Sequence, residues 1–334
     1  MAVHRRRVLT LLAVTGLILL AAFGLAVAWL REGVEPTTAR PARPIRFESP
    51  QPLESVFVEL EKMGVVRDAR RANLWARLNR INPVVNAGTY EVKPGSTLEQ
   101  IEKMLRRPVR RMVRIPEGLW IAQIAERLEK ANVCTAQEYL AATQKPQDYQ
   151  DRVNFKLPES GSLEGYLFPD TYDLPPLLSA ERVVLRMLKN FESKVVAKLP
   201  KDIDLHPLIA KASMIEREAK LDSERAIIAG VIENRLARGM TLDIDATVLY
   251  GIQEWRVLGP GEVRNLPSPS NTYLNRGLPP GPIGSPSWKS IEAAWKPARH
   301  NYLFYVARPD GSHTFTTNYD DHRAAIRTNR RLAR

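Results

Sequence analysis

A single cysteine, Cys134, in a chain of 334 residues excludes an internal disulfide framework and any zinc site built from cysteines. Histidine is nearly as scarce. The five are scattered, with no HExxH or other close ligand pair, so neither a metal nor another cofactor is expected. Internal repeats are missing too, as are the stacking motifs and recognition-helix signature of nucleic-acid readers. The formal net charge of +12 would suit nucleic acid, an anionic membrane surface or an acidic polymer. Its basic residues are dispersed, however, in short pairs such as Arg70-Arg71, Arg106-Arg107, Arg110-Arg111 and Arg330-Arg331. No nucleic-acid partner is expected. An apolar content of 44% with 26% charged residues is that of a globular protein, and the length suggests about two domains.

The N-terminus is more telling. His4-Arg5-Arg6-Arg7 precedes an uncharged run from Val8 to Leu30. As a helix this run extends roughly 35 Å, enough to cross a hydrocarbon core of about 30 Å. The arginines ahead of it predict a cytoplasmic segment at 1–7, a single-pass anchor at 8–30 and export of the remainder. Ala26-Val27-Ala28 passes as a signal-cleavage site, but the apolar core of a signal peptide is typically about 7–15 residues. The anchor is the preferred reading.

Pro41, Pro44, Pro50 and Pro52 make Thr37 to Pro52 read as an extended tether within a linker at 31–52. Residues 53–110 read as a small α/β module. Helices are expected over Leu53–Met63 and Ala69–Leu78, a strand over Ala87–Val92, and a further helix capped by Ser96. Residues 111–334 form the larger, mixed α/β domain of a chain whose fold class is α+β. Its expected elements begin with a strand at Met112–Ile115 and a helix at Trp120–Leu128. A long helix follows over Ala180–Leu199, then one from near Pro207 and one capped by Asp222 or Ser223 that stops at Gly239. A Pro/Gly-rich stretch, Gly259–Pro286, leads to strands at Tyr302–Val306 and Thr314–Thr316.

The helix from Pro207 carries two carboxylates, Glu216 and Glu218, two positions apart and therefore facing directions roughly 200° different. Leu208, Ala212, Ile215 and Ala219 form a narrow apolar stripe. Glu216 lies nearer that stripe, so periodicity favours it slightly as the more buried of the two. Spacing alone is also satisfied by two solvated glutamates paired with nearby Lys and Arg.

The surrounding motifs add a great deal. Ala212-Ser213-Met214-Ile215-Glu216-Arg217-Glu218-Ala219 is followed by Asn234-Arg235-Leu236-Ala237-Arg238-Gly239-Met240 and Asp245-Ala246-Thr247-Val248-Leu249-Tyr250-Gly251. Then come Asn271-Thr272-Tyr273, Gly277-Leu278-Pro279-Pro280-Gly281-Pro282-Ile283 and His313-Thr314-Phe315. Upstream stands Glu164-Gly165-Tyr166-Leu167-Phe168-Pro169-Asp170-Thr171-Tyr172. In content and order these resemble the endolytic murein transglycosylase family, from the anchor almost to the end of the chain. The resemblance implies a single-pass envelope enzyme with a LysM-like module ahead of its catalytic domain. It implies cleavage of peptidoglycan glycan strands at internal MurNAc–GlcNAc bonds, with 1,6-anhydro-MurNAc ends left behind. Cell-wall polymerases and transpeptidases are the implied protein partners. The functional carboxyl implied is the second of the pair, Glu218, against the wheel's mild preference.

Glu164, Asp245, Thr247, Asn271 and Tyr273 are the candidate substrate-binding residues. Glu164 lies in an aromatic-rich turn, where it either contacts sugar or bonds backbone; Asp245 either binds hydroxyls or caps a helix. Asn271 and Tyr273 are expected to line the groove because their segment is irregular. His313 and His322 are expected to be structural. Two positions depart from the family pattern: Asp243 stands in place of a glutamine and Ser287 in place of a glycine. Neither is expected to touch the glutamate pair. A hydrolase using Glu164 or Asp245 to activate water, and a non-catalytic glycan-binding scaffold, are the competing readings.

Overall fold

The computed structural model describes residues 2–34, 41–159, 161–259 and 261–332. The architecture is mixed α and β, in two compact units. One comprises Met1–Arg111 with Pro175–Leu177, the other Met112–Leu174 with Leu178–Arg334.

The first unit opens with helix α1 (Ala2–Val34), whose stretch Leu11–Trp29 has a mean hydropathy of 2.6. Among the described residues it is the one helix long and apolar enough to cross a membrane. Strands β1 (Arg43–Phe47) and β2 (Gln51–Pro52) follow, then helices α2 (Leu53–Lys62) and α3 (Ala69–Leu78). Strands β3 (Val84–Val85) and β4 (Gly88–Val92) and helix α4 (Leu98–Leu105) complete it. β1 pairs antiparallel with β4, Ile45 opposite Tyr90, and β2 pairs with β3. The tether read into Thr37–Pro52 is therefore corrected from Arg43 onward, while 35–40 lie outside the described residues. Pro44 and Pro52 sit at strand positions whose missing N–H an edge tolerates. The cap of α4 is also corrected: Thr97, not Ser96, accepts from Gln100 N in a reciprocal capping box. Phe57, Leu60, Tyr90 and Ile101 are buried at the centre of this unit's core.

The second unit begins with β5 (Met112–Arg114), α5 (Ile121–Lys130) and α6 (Ala136–Thr143). β6 (Thr171–Asp173) pairs antiparallel with β5, and α7 (Ala180–Lys194) follows. Next come α8 (Leu205–Glu218), α9 (Arg225–Ala237), α10 (Asp245–Ile252) and α11 (Trp288–Trp295). The hairpin of β7 (Phe304–Ala307) and β8 (His313–Thr316) and a terminal helix, α12 (Tyr319–Leu332), close the unit.

Helix α8 is the hub. Asp204 caps it, accepting from His206 N at 3.2 Å. Its apolar surface is not the narrow stripe expected: Ile209, Ala210, Ser213 and Met214 are as buried as Ile215, because α9, α10 and α11 all pack on it. The Pro/Gly-rich segment runs alongside as a strap with three anchor points. Pro280 O meets His206 Nε2 at 2.8 Å, Ile283 N donates to Ser213 Oγ at 2.9 Å, and Ser287 N donates to Glu216 Oε2 at 2.8 Å. Gly165 explains part of the glycine usage. With φ of +83° and no Cβ, it lets Pro282 and Ile209 approach where any side chain would collide.

Candidate active site

Glu218 is the last residue of α8, and Ala219 leaves the helix in an extended conformation. A carboxylate there faces the negative end of the helix dipole, which disfavours its charge. Burial acts in the same direction, and together with Asp245 it outweighs Tyr305 and Arg217: the Glu218 carboxyl is raised to about 7. Tyr305 on β7 donates its hydroxyl to Glu218 Oε2 at 2.9 Å. The side chain remains partly exposed, so the acid is sheltered but reachable.

Glu216 is built for another task. Arg225 Nη1 donates to its Oε1 at 3.3 Å, and Ser287 donates to its Oε2 through N at 2.8 Å and Oγ at 2.5 Å. Both glutamates are partly exposed, so burial does not separate them as the wheel would; their partners do, and the bonds of Glu216 tie the strap and α11 to α8. The expectation that Ser287 leaves the glutamate pair alone is overturned. Its hydroxyl fills space a glycine would leave beside Glu216. Asp243 touches neither glutamate; it accepts from Arg235 Nη1 at 3.0 Å and sits at φ of +53°, which aspartate tolerates.

The other predicted residues divide in two. Asp245 is exposed at the start of α10 and accepts from the Tyr273 hydroxyl at 2.6 Å. Burial, this bond and nearby carboxylates that include Glu218 hold the Tyr273 phenol above its ordinary value. Glu218, Asp245 and Tyr273 therefore share one electrostatic neighbourhood. Thr247, Asn271 and Glu164 do not face a groove. Thr247 is fully buried, donating to Ile244 O at 2.6 Å and meeting Thr272 Oγ1 at 2.9 Å. Asn271 is fully buried, and its Nδ2 donates to Val263 O and Leu266 O at 2.7 and 2.8 Å. Both hold turns whose backbone would otherwise lack partners. Glu164 is 5% exposed, and its Oε2 accepts from Ile121 N, the first helical residue of α5, at 3.0 Å. Burial pushes that carboxyl up to about 8 against the pull of this bond.

Tyr305 was not among the residues singled out by sequence. It stands on a strand of ordinary composition, and its motif signal is displaced onto what positions it. Asn234 on α9 donates to His300 O and Tyr302 O at 2.8 and 2.9 Å, and Arg235 Nε donates to Leu303 O at 2.6 Å. The Asn-Arg pair thus locks the chain leading into β7. From β8, His313 binds Glu224 through N and Nδ1 at 2.9 and 2.6 Å and packs edge-on against Tyr305, with 5.4 Å between ring centroids. His322 stacks on Phe304. Both histidines contact structure, not the acid.

A cavity of about 1270 Å³ opens at the other end of α8, lined by Tyr166, His206, Asp204, Lys156 and Lys201 among others. The helix length places it roughly 20 Å along the axis from Glu218. Among the described residues no group of His, Cys, Asp and Glu is arranged to hold a metal ion. What the site offers is proton transfer by one sheltered carboxyl, flanked by a tyrosine donor and a second carboxylate.

Known proteins share this arrangement of sequence and fold. The chain is 30% identical over 305 residues to an endolytic murein transglycosylase of Bacillus subtilis (strain 168), spanning 84% of this chain and 83% of that protein. It is 29% identical over 304 residues to one of Streptococcus pneumoniae serotype 2, spanning 81% of this chain and 55% of that longer protein. The crystal structure of a YceG-like protein from Listeria monocytogenes superposes with a TM-score of 0.57 at 29% identity, covering 85% of this chain and 99% of that one. The model of the YceG-like family matches residues 45–328, and the chain belongs to that family.

Proposed function

We propose that this protein is a membrane-anchored lytic transglycosylase that cuts peptidoglycan glycan strands at internal MurNAc–GlcNAc β-1,4 bonds. The observation that carries the reading is Glu218: a carboxyl raised to about 7, held by Tyr305 and flanked by Asp245. Relatives named endolytic murein transglycosylases support the substrate class.

The reaction needs a single acid. Protonated Glu218 donates to the bridging oxygen as the C1–O bond breaks and positive charge develops on the sugar. The 6-hydroxyl of the same sugar attacks C1, and the carboxylate just formed takes its proton. The enzyme is restored, no water is consumed, and a 1,6-anhydro end results. Asp245, oriented by Tyr273, supplies negative charge beside the developing cation. A two-carboxylate hydrolase would have to use Asp245 to activate water, because Glu164 is buried against α5; this second reading is separated from the first by the products.

The arginines ahead of the apolar stretch of α1 support an N-terminus kept in the cytoplasm and a catalytic unit outside. The strand–helix–helix–strand order of β1, α2, α3 and β4 supports a LysM-like glycan-binding role for the first unit. Mass spectrometry of muropeptides released by the detergent-solubilised full chain provides the test. Anhydro-MurNAc ends are expected from the wild type and none from Glu218→Gln, with glycan binding retained. Reducing ends carrying oxygen from solvent would establish hydrolysis instead.

A further inference from the structure

Trp255 has no part in the chemistry above, yet it is 51% exposed, and among the described residues the only other tryptophan so open is Trp29 of α1. Its surroundings are built. The Arg217 guanidinium, one residue before Glu218, lies 3.4 Å from the centre of its ring, and Arg217 Nη1 is tied to Gly118 O at 3.2 Å. The Trp255 ring leans on Trp120 at 6.1 Å, and Trp120 meets Tyr250 edge-to-face at 6.0 Å. Trp120 itself is 3% exposed, so this base is part of the packed interior. Behind it the buried Glu164 fastens the start of α5 immediately after Trp120 and is coupled electrostatically to Tyr250.

The loop carrying Trp255 is also fastened. Arg256 binds Glu254 at 2.9 Å and Glu262 at 3.0 Å, Gly259 N donates to Glu262 Oε2 at 2.7 Å, and Asn271 holds Val263 O and Leu266 O. An indole so supported keeps one orientation, which lowers the entropy lost when something stacks on it. A pyranose ring presents a face of C–H groups that packs on an aromatic plane while its hydroxyls stay in water.

We infer that Trp255, backed by Arg217 and Trp120, is a stacking platform for a pyranose ring of the glycan strand adjacent to the sugar held at Glu218. Arg217 and Glu218 are consecutive on a helix and diverge by roughly 100°. The platform therefore flanks the acid, and takes a neighbour of the sugar whose bond breaks. This subsite rests on the glycan-cleaving reading above.

The test uses the full chain in detergent with uncrosslinked GlcNAc–MurNAc oligomers. Binding is read from tryptophan fluorescence and calorimetry in a Glu218→Gln background, and turnover from anhydro-end formation in the active protein. Trp255→Ala is expected to weaken binding and raise KM roughly 5- to 30-fold while kcat changes less than twofold. Trp255→Phe is expected to recover most of the loss. Unchanged binding and KM in Trp255→Ala, with anhydro ends still formed, would overturn the platform and leave the reaction intact. Weakened binding with no anhydro ends from the active protein would support the platform and overturn the reaction. A fall in kcat that Trp255→Phe does not recover would also overturn it.

Discussion

Two glutamates two positions apart receive opposite treatment in this protein, and the difference lies in what surrounds each carboxyl. Glu216 is given an arginine and two donors from Ser287; Glu218 is given one tyrosine and a nearby Asp245. The signs of the resulting predictions follow. An acid works while protonated, so cleavage should decline as pH rises through about 7. The Tyr305 hydroxyl favours the charged form; Tyr305→Phe should lower the maximal rate and move the alkaline limb to higher pH. Asp245 disfavours the charged form, so Asp245→Asn should move that limb to lower pH. Both shifts are read from kcat/KM against pH. Ser287→Ala removes a hydrogen bond to a charged, nearly buried carboxylate and should destabilise the protein by about 1–3 kcal/mol in denaturant titration. At this scale the residues that motif order singles out include three, Glu218, Asp245 and Tyr273, that fall within one electrostatic cluster. Nothing local in the sequence pointed to Tyr305. Burial of Thr247 and Asn271 was also illegible, since a polar residue in an irregular segment looks alike whether it faces water or pins a turn.

Helix α8 shows why periodicity misled. Amphipathic reasoning assumes one covered face, but α8 is enclosed by α9, α10, α11 and the strap, and its polar residues are consumed by those contacts. The strap itself read as a loop because its bonds run to α8 and not to a strand partner. Gly165→Ala tests how tightly it lies. A Cβ at φ of +83° would fall 2.4 Å from Pro282 Cβ, and a loss of roughly 2–4 kcal/mol is expected by thermal or chemical unfolding. The start of α5 carries a pH signature. Glu164 keeps its proton to about pH 8 when folded, whereas an unfolded glutamate releases it near 4.5. Between these values the folded state binds the extra proton, so stability falls as pH rises through the window. Glu164→Gln lacks that slope. Its Tm should gain on the wild type from pH 5 to about pH 8 and level off above. Elements outside the motifs were harder to foresee: β1 was hidden by Pro44 and the prolines around it, and α12 by a sequence dominated by charge.

At the scale of the whole molecule, the first unit joins an apolar helix to a small folded body and the second holds the acid. If Leu11–Trp29 spans the bilayer, placing Leu17→Arg and Leu20→Arg together near its centre should cost roughly 5–7 kcal/mol of insertion. The doubly substituted chain should then leave the membrane fraction under alkaline extraction that retains the wild type. The site has a further property that follows from chain connectivity. Glu218 and the hydroxyl that holds it are separated by 87 positions, and the residues that steady Tyr305 come from within that interval and from β8 beyond it. A polypeptide that extends through α8 but not into β7 lacks the hydroxyl that holds Glu218. The surroundings that raise the Glu218 carboxyl are therefore drawn in part from the C-terminal end of the sequence and are complete only once the last hairpin has formed.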